Sequence, residues 1–285
     1  MAIILKGAPA ANAITEQLTL KAEELRQKGI IPTLAILRVG ENESDLAYER
    51  AAMKRCEKIG IEVRQILLPA ESTTEQVAGE LQKINCDSSI HGCLMFRPLP
   101  GHIDEAAVCA QLAPEKDVDA MTPASLTHVF TGKGAGFAPC TAQSCIEILD
   151  YYGYDPAGKN AAVIGRSLVI GKPVSMMLQS RNATVTMCHT KTKEMASICS
   201  RADILVAAAG HAGIVNAAFT NPGQIIIDVG INVDSEGNMS GDVDFASAEP
   251  VCAAITPVPG GVGSVTTAVL CKHVIEAAGN AAADI

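Results

Sequence analysis

The residues best suited to chemistry stand where a short apolar run turns into a helix. Val163-Ile-Gly165-Arg-Ser167-Leu-Val-Ile-Gly171-Lys-Pro173 directly continues the run Asn160-Ala-Ala-Val-Ile164. Glycine at such a turn lets backbone N–H groups approach a pyrophosphate, and the helix that starts there favours its negative charge. Pro173 suits that helix's first turn. Ser167 stands where the usual G-x-G-x-x-G has its second glycine and Gly171 comes late, so a turn built only for packing is the competing reading. The end of the next apolar run reads Cys188-His-Thr-Lys-Thr192. NAD enzymes of this layout place a carboxylate there for the ribose 2′-hydroxyl. A histidine, hydroxyls and a lysine stand here instead, with Arg166 in the neighbouring loop. Cations and donors suit a 2′-phosphate. Gly165, Arg166, Ser167, Gly171, His189 and Thr190 are therefore expected to hold NADP, with NAD as the alternative and solvated surface polars as the bland one.

Elements that position such a loop are legible around it. Thr33–Val39, Glu62–Leu68 and Gly92–Phe96 read as strands, separated by helices over Asp45–Ile59 and Thr74–Ile84 and preceded by one over Pro9–Lys28. Asn42 to Ser44 supplies capping residues and Gly60 a stop. Arg97-Pro-Leu-Pro100 cannot continue in a central strand and must leave the sheet as a rigid loop. After Pro139-Cys-Thr141, a helix over Ala142–Tyr152 leads to four nearly continuous apolar runs. These are Asn160–Ile164, Ala183–Met187, Asp203–Ala207 and Gln224–Asp228, the kind buried in a parallel sheet. A Gly-rich turn over Pro257–Gly263 and a helix from Val265 to about Ala278 close the chain. The fold class is α/β: an N-terminal α/β domain, 1–140 with 266–285, and a Rossmann-like parallel-sheet dinucleotide-binding domain, 141–265, with a cleft between them.

Composition narrows the function classes. The 285 residues allow two domains, and 48% hydrophobic against 19% charged residues fits a folded enzyme and excludes disorder. A net charge of −9 excludes a basic nucleic-acid or anionic-membrane surface. The opening Met1-Ala-Ile-Ile-Leu-Lys-Gly7 is too short an apolar run for a signal peptide, and the expected location is the cytoplasm. Ten cysteines lie scattered, with no Cys-x-x-Cys and no metal-ligand spacing, so free buried thiols and no metal are expected.

Taken together, several separated segments resemble the methylenetetrahydrofolate dehydrogenase/cyclohydrolase family, the bacterial FolD type. They are Tyr48 on its helix, Arg97-Pro-Leu-Pro100, Lys116-Asp-Val-Asp119, Pro139-Cys-Thr141, Gly165-Arg-Ser167, Cys188-His-Thr190, Asp228-Val-Gly-Ile-Asn232, Gly241-Asp-Val-Asp244 and Thr256-Pro-Val-Pro-Gly-Gly-Val-Gly263. They fall in the family's order and span nearly the whole chain. The resemblance implies NADP-dependent oxidation of 5,10-methylenetetrahydrofolate, usually coupled to hydrolysis of the methenyl product, in a homodimer. It gives Tyr48 and Asp119 the catalytic roles. Phe96, Arg97, Pro98 and Leu99, with Pro259, Gly260, Gly261, Val262 and Gly263, join them at the folate. Thr141, Gly230 and Ile231 join the cofactor contacts.

The match breaks at three of the pocket's polar positions. The family carries Ser, Tyr and Lys on its pocket helix and Gln before the Pro-Leu-Pro loop; here Asp45, Ala52 and Phe96 replace Ser, Lys and Gln. The resemblance assigns the acid/base work of hydrolysis to that lysine, whereas hydride transfer is mainly a matter of orientation. Lys54 points about 120° away from Tyr48 on a helix and reads as a solvated lysine. Arg97 brings a cation but accepts no proton. The expectation is a dehydrogenase with weak or absent cyclohydrolase. A fully bifunctional enzyme and a catalytically silent folate or nucleotide binder are the alternatives.

Overall fold

The computed structural model describes residues 1–283. The strands in chain order are β1 (Ile3–Ile4), β2 (Thr33–Val39), β3 (Glu62–Leu68), β4 (Gly92–Met95), β5 (Asn160–Ile164), β6 (Thr184–Cys188), β7 (Ile204–Ala207), β8 (Ile225–Asp228), β9 (Asn232–Val233), β10 (Met239–Ser240) and β11 (Ala254–Ile255). The α-helices are α1 (Gly7–Gln27), α2 (Glu43–Ile59), α3 (Thr74–Cys86), α4 (Glu105–Cys109), α5 (Pro123–Thr131), α6 (Cys140–Tyr151), α7 (Gly171–Ser180), α8 (Met195–Cys199), α9 (Phe245–Ala248) and α10 (Thr266–Ala283). Two compact units form: Met1–Ala11 with Thr141–Thr266, and Asn12–Cys140 with the C-terminal segment from Thr267. The expected bounds kept residues 1–140 together. Instead Met1–Ala11 go with the later segment, because β1 pairs in parallel with β11 at Ile3–Ala254 and Ile4–Ile255. The last two residues of the expected closing segment lie outside the described range.

The unit from Asn12 is built on a three-stranded parallel sheet in the order β3-β2-β4. Its strands are apolar on both faces at β2 and β4, as burial under helices requires. One face of the sheet, through Ala35, Leu37, Cys93 and Met95, packs on Val77, Leu81 and Ile84 of α3. The opposite side of β4 is approached so closely that a Cβ on Gly92 would lie 2.7 Å from Val118 and 3.1 Å from Val274 of α10. Helix α2 starts at an Asn42 cap, whose side chain accepts from the Ser44 N–H, and stops at Gly60 with φ 93°. Its rotation about its own axis is fixed by a buried ion pair, Arg38 Nε to Glu49 Oε2 at 3.0 Å. Gln65 donates a further bond to Glu49, and Arg38 one to the Gly40 carbonyl.

The other unit carries a six-stranded sheet in the order β1-β11-β8-β7-β5-β6, parallel throughout. The chain leaves β5 to one side for β6 and to the other for β7 and β8, which is the reversal that opens a ligand crevice at the carboxyl ends of the strands. Ala162, Ile164, Leu205, Ala207, Ile226 and Ile255 form the buried centre of one face. A short antiparallel pair, β9 with β10, follows β8. The ten cysteines are free; all but Cys86 are buried. Among the described residues no helix is long and apolar enough to cross a membrane.

Candidate active site

Gly165 follows β5 with φ +126°, a conformation that side chains resist. A Cβ there would stand 2.2 Å from the Ala208 carbonyl oxygen, and one on Gly171 would stand 2.3 Å from that of Gly165. Glycine at both positions is therefore a steric requirement of the turn itself. Within it, Ser167 Oγ accepts from the Ile170 N–H at 3.1 Å, and the Lys172 N–H reaches the Ser167 carbonyl at 3.0 Å. Helix α7 starts at Gly171 with no side chain capping its first turn, and Pro173 lies inside that turn. Arg166 and Ser167 are exposed in front of it.

One strand away, the end of β6 is tied to the loop by the Gly165 N–H, which donates to the Cys188 carbonyl at 2.9 Å. His189 Nδ1 accepts from the Lys191 N–H at 3.1 Å, and the His189 N–H reaches Thr192 Oγ1 at 2.9 Å. An Nδ1 that accepts puts the neutral ring's proton on Nε2, where it is a donor. With Thr190 and Lys191 exposed beside it, this edge offers donors and cations and no carboxylate at the strand end. The cradle at Gly165 and this donor edge fit a dinucleotide that carries a 2′-phosphate.

On the far side of β5, Gly230 and Ile231 follow β8. Gly230 is buried and Ile231 exposed. The Pro259–Gly263 turn lies in this same unit: the Gly7 N–H donates to the Gly260 carbonyl at 2.8 Å, and Gly263 approaches the Ile231 side chain. A Cβ on Gly7 would lie 2.1 Å from the Gly261 oxygen. Val262 is buried, and Thr141 is half-buried at the start of α6.

The remaining expected residues lie in the unit from Asn12. Tyr48 and Phe96 are brought together, ring centroids 6.1 Å apart at 84°. Ala52 follows Tyr48 by one helical turn and is 0% exposed. Lys54 is exposed and lines a surface hollow with Arg50, Met53, Glu57, Ile61 and Val63. Asp45 is half-buried in the first turn of α2. The loop Arg97–Pro100 is held by Glu105, whose Oε2 accepts from the Leu99 N–H at 2.8 Å and whose Oε1 lies 4.0 Å from Arg97 Nη1. Leu99 is buried and Pro98 exposed.

The Lys116–Asp119 segment divides its labour. Lys116 Nζ donates to the carbonyls of Ile84, Asn85 and Asp87 and so closes the end of α3. Asp117 accepts from the Met121 and Thr122 N–H groups at 2.9 and 2.8 Å, which makes it the cap of that turn. Asp119 accepts from the Cys140 N–H at 2.9 Å. Burial pushes its carboxyl up, while the Cys140 bond and the Arg97 guanidinium pull it back down. Sequence reasoning missed Arg38 and Glu49, whose buried ion pair ties α2 to β2 at the residue next to Tyr48. An arginine in a strand and a glutamate in a helix carry no signal until the fold pairs them.

A reversed parallel sheet, a glycine cradle after its central strand and a donor edge on the next define a nucleotide-binding dehydrogenase of the Rossmann class. Comparison with known proteins is specific beyond the class. The catalytic domain of the tetrahydrofolate dehydrogenase/cyclohydrolase family matches residues 5–119, and its NAD(P)-binding domain matches residues 139–282. The chain belongs to this family. It is 49% identical over 277 residues to a bifunctional protein FolD of Alkaliphilus oremlandii, covering 97% of each. Among solved structures, the bifunctional FolD of Campylobacter jejuni superposes with a TM-score of 0.95 at 35% identity, covering 98% of this chain and 99% of that one. A Trypanosoma brucei FolD complexed with NADP and an inhibitor superposes at 0.92 with 33% identity, covering 99% and 98%.

Proposed function

We propose that the protein is an NADP-dependent methylenetetrahydrofolate dehydrogenase whose cyclohydrolase activity is weak or absent. The observation that carries the second half is the pairing of a fully buried Ala52 with the Tyr48–Phe96 ring contact. Hydrolysis of a methenyl group requires a proton carrier near the carbon that water attacks. In this unit the helix turn after Tyr48 carries a methyl group, and the residue before the Pro-Leu-Pro loop carries a phenyl ring. Lys54 opens onto a different surface hollow, so it does not stand in for the missing ammonium. Arg97, near Glu105, brings a guanidinium, a donor fork rather than a proton acceptor.

Hydride transfer asks for less. Tyr48 and Phe96 supply flat apolar walls for a pterin or for the one-carbon unit, and Asp119 supplies a carboxylate for the amino-pyrimidine edge. Gly165, Arg166, Ser167, Gly171, His189 and Thr190 hold the pyrophosphate and 2′-phosphate of NADP, with Thr141, Gly230 and Ile231 along its remainder. NADP, when bound, accepts the hydride. The family's homodimer and a cytoplasmic location complete the reading.

The test is spectroscopic. Purified protein should form NADPH from methylenetetrahydrofolate while the methenyl absorbance accumulates. Rapid enzyme-dependent loss of that absorbance would make the enzyme fully bifunctional. Tight folate and NADP binding with no NADPH formed would make it a silent binder.

A further inference from the structure

Two buried aspartates cross-brace the loops on the far side of β5. Asp228 ends β8; its Oδ1 accepts from the Gly230 and Asp242 N–H groups, each at 3.0 Å, and its Oδ2 from the Val243 N–H at 3.0 Å. Its own N–H donates to Thr256 Oγ1 at 2.7 Å, which ties in the start of the glycine-rich turn. Asp242, 0% exposed, returns the contact to the loops. Its Oδ2 accepts from the Ala209 and Gly210 N–H groups at 2.6 and 2.9 Å, and its Oδ1 from the His211 N–H and Asn232 Nδ2 at 2.9 and 3.0 Å. The fit leaves no slack: a Cβ on Gly230 would stand 2.2 Å from Asp242 Oδ1, and one on Gly241 would stand 1.8 Å from Asp228 Oδ2.

The segments so fixed are those at the carboxyl ends of β7 and β8. A dinucleotide with its pyrophosphate at the Gly165 loop and its adenosine ribose at His189 extends its other half over these two strands. Ala208 already abuts Gly165, so the position of the 208–211 loop and the depth of the cradle are coupled. With four donors on it, the Asp242 carboxylate spends its lone pairs inward, on backbone and Asn232. The loops that it holds, rather than the carboxylate, are what a cofactor would meet.

We propose that Asp242 is a positioning residue for the nicotinamide half of the cofactor: it touches no reacting atom and sets the loops that do. The proposal rests on the cofactor placement given above. In Asp242→Asn the shape is kept, but an NH2 must face N–H groups that need an acceptor, so the 209–211 loop or Asn232 has to move.

The test compares NADP with 2′,5′-ADP, which carries only the adenosine half. In the full-length Asp242→Asn protein, 2′,5′-ADP affinity should stay within about twofold of the parent, while NADP affinity and kcat each fall by about tenfold. Asn232→Ala removes one of the four bonds and should show the same pattern at about threefold, which keeps the proposal testable if the first variant does not fold. Equal weakening of both ligands would make Asp242 a general brace of the fold and overturn the proposal. Unchanged NADP binding and kcat in a folded variant would overturn it too. Arg166→Ala reports on the placement separately: unaltered 2′,5′-ADP binding there would mean that the cofactor site has been misread, and the proposal, which rests on it, would fall with it.

Discussion

The ring of Tyr48 stands edge-on to that of Phe96, 6.1 Å between centroids and 84° between planes. A T-shaped pair of this kind contributes about 0.5–1.5 kcal/mol beyond its buried area and fixes the tilt of both rings. A glutamine at position 96 would bring an amide to the Tyr48 ring where carbon now sits. Restoring the family's pattern is therefore the direct experiment. Ala52→Lys alone adds a long chain at a fully buried position and should cost stability. Ala52→Lys with Phe96→Gln should raise methenyl hydrolysis by about a hundredfold, within the range for a positioned acid/base group. No gain in a folded double variant would mean that positions 52 and 96 do not set the rate of hydrolysis.

Lys54 supplies the control. Because it is exposed and faces the hollow formed with Met53, Ile61 and Val63, Lys54→Ala should leave NADPH formation within about twofold and stability within about 0.5 kcal/mol. A tenfold loss in either activity would put its ammonium at the site after all.

Arg166 and His189 should decide between the two nicotinamide cofactors. A charge-assisted hydrogen bond to a phosphate is worth about 1.5–3 kcal/mol. Arg166→Ala should therefore raise the KM for NADP by about ten- to a hundredfold and leave that for NAD nearly unchanged. His189→Ala should act in the same direction, less strongly, since its Nε2 offers one donor where the guanidinium offers a fork. Steady-state kinetics with both cofactors reads the ratio, and a parallel loss for NAD would contradict the assignment.

The buried Arg38–Glu49 pair makes α2 sensitive to single changes. Both side chains are buried, 7% and 3% exposed, so removing one partner strands the other charge. Glu49→Ala should lower stability by about 3–5 kcal/mol in urea unfolding. Arg38→Met with Glu49→Leu should recover much of that, and a double variant no better than Glu49→Ala would assign the role to the Gln65 and Gly40 bonds.

Asp228 gives a pH dependence of unusual sign. Burial, opposed by bonds from Val243, Asp242 and Gly230 and reinforced by the neighbouring Asp242 charge, pushes its carboxyl from 3.8 up to about 6. A native state that holds its proton more tightly than the unfolded chain gains stability as pH falls. This contribution is present in full below pH 3.8 and is lost as pH rises to about 6. The amount is about 3 kcal/mol as an order of magnitude. Asp228→Asn should flatten that part of the stability profile; an unaltered slope in urea titrations from pH 4 to pH 6.5 would assign it to other groups.

Much of this was legible before the fold was known, and the reason differs by element. Thr33–Val39 and Asn160–Ile164 are nearly continuous apolar runs, and the strands have those limits. The cradle at Gly165 was legible because only glycine tolerates its geometry. The strand Ile3–Ile4 was not: two residues carry no period, and its partner lies 251 positions away at Ala254. Asp242 showed as part of a matching segment without a role, since its acceptors' partners are 31 to 33 residues upstream. Asp117 and Asp119 look alike in the sequence; only the N–H groups of Met121 and Thr122 tell the cap from the candidate ligand.

The pairing of β1 with β11 also orders events during synthesis. The unit that holds the glycine cradle takes its first strand from Ile3–Ile4 and its neighbouring strand from Ala254–Ile255. Ile3–Ile4 must therefore wait, unpaired at that edge, until Ala254–Ile255 has been made. The other unit waits as well, since Val274 of α10 covers β4 at Gly92. Neither unit is a continuous stretch of chain, so a cut at Cys140 separates neither cleanly: it leaves one sheet short of a strand and the other short of a helix.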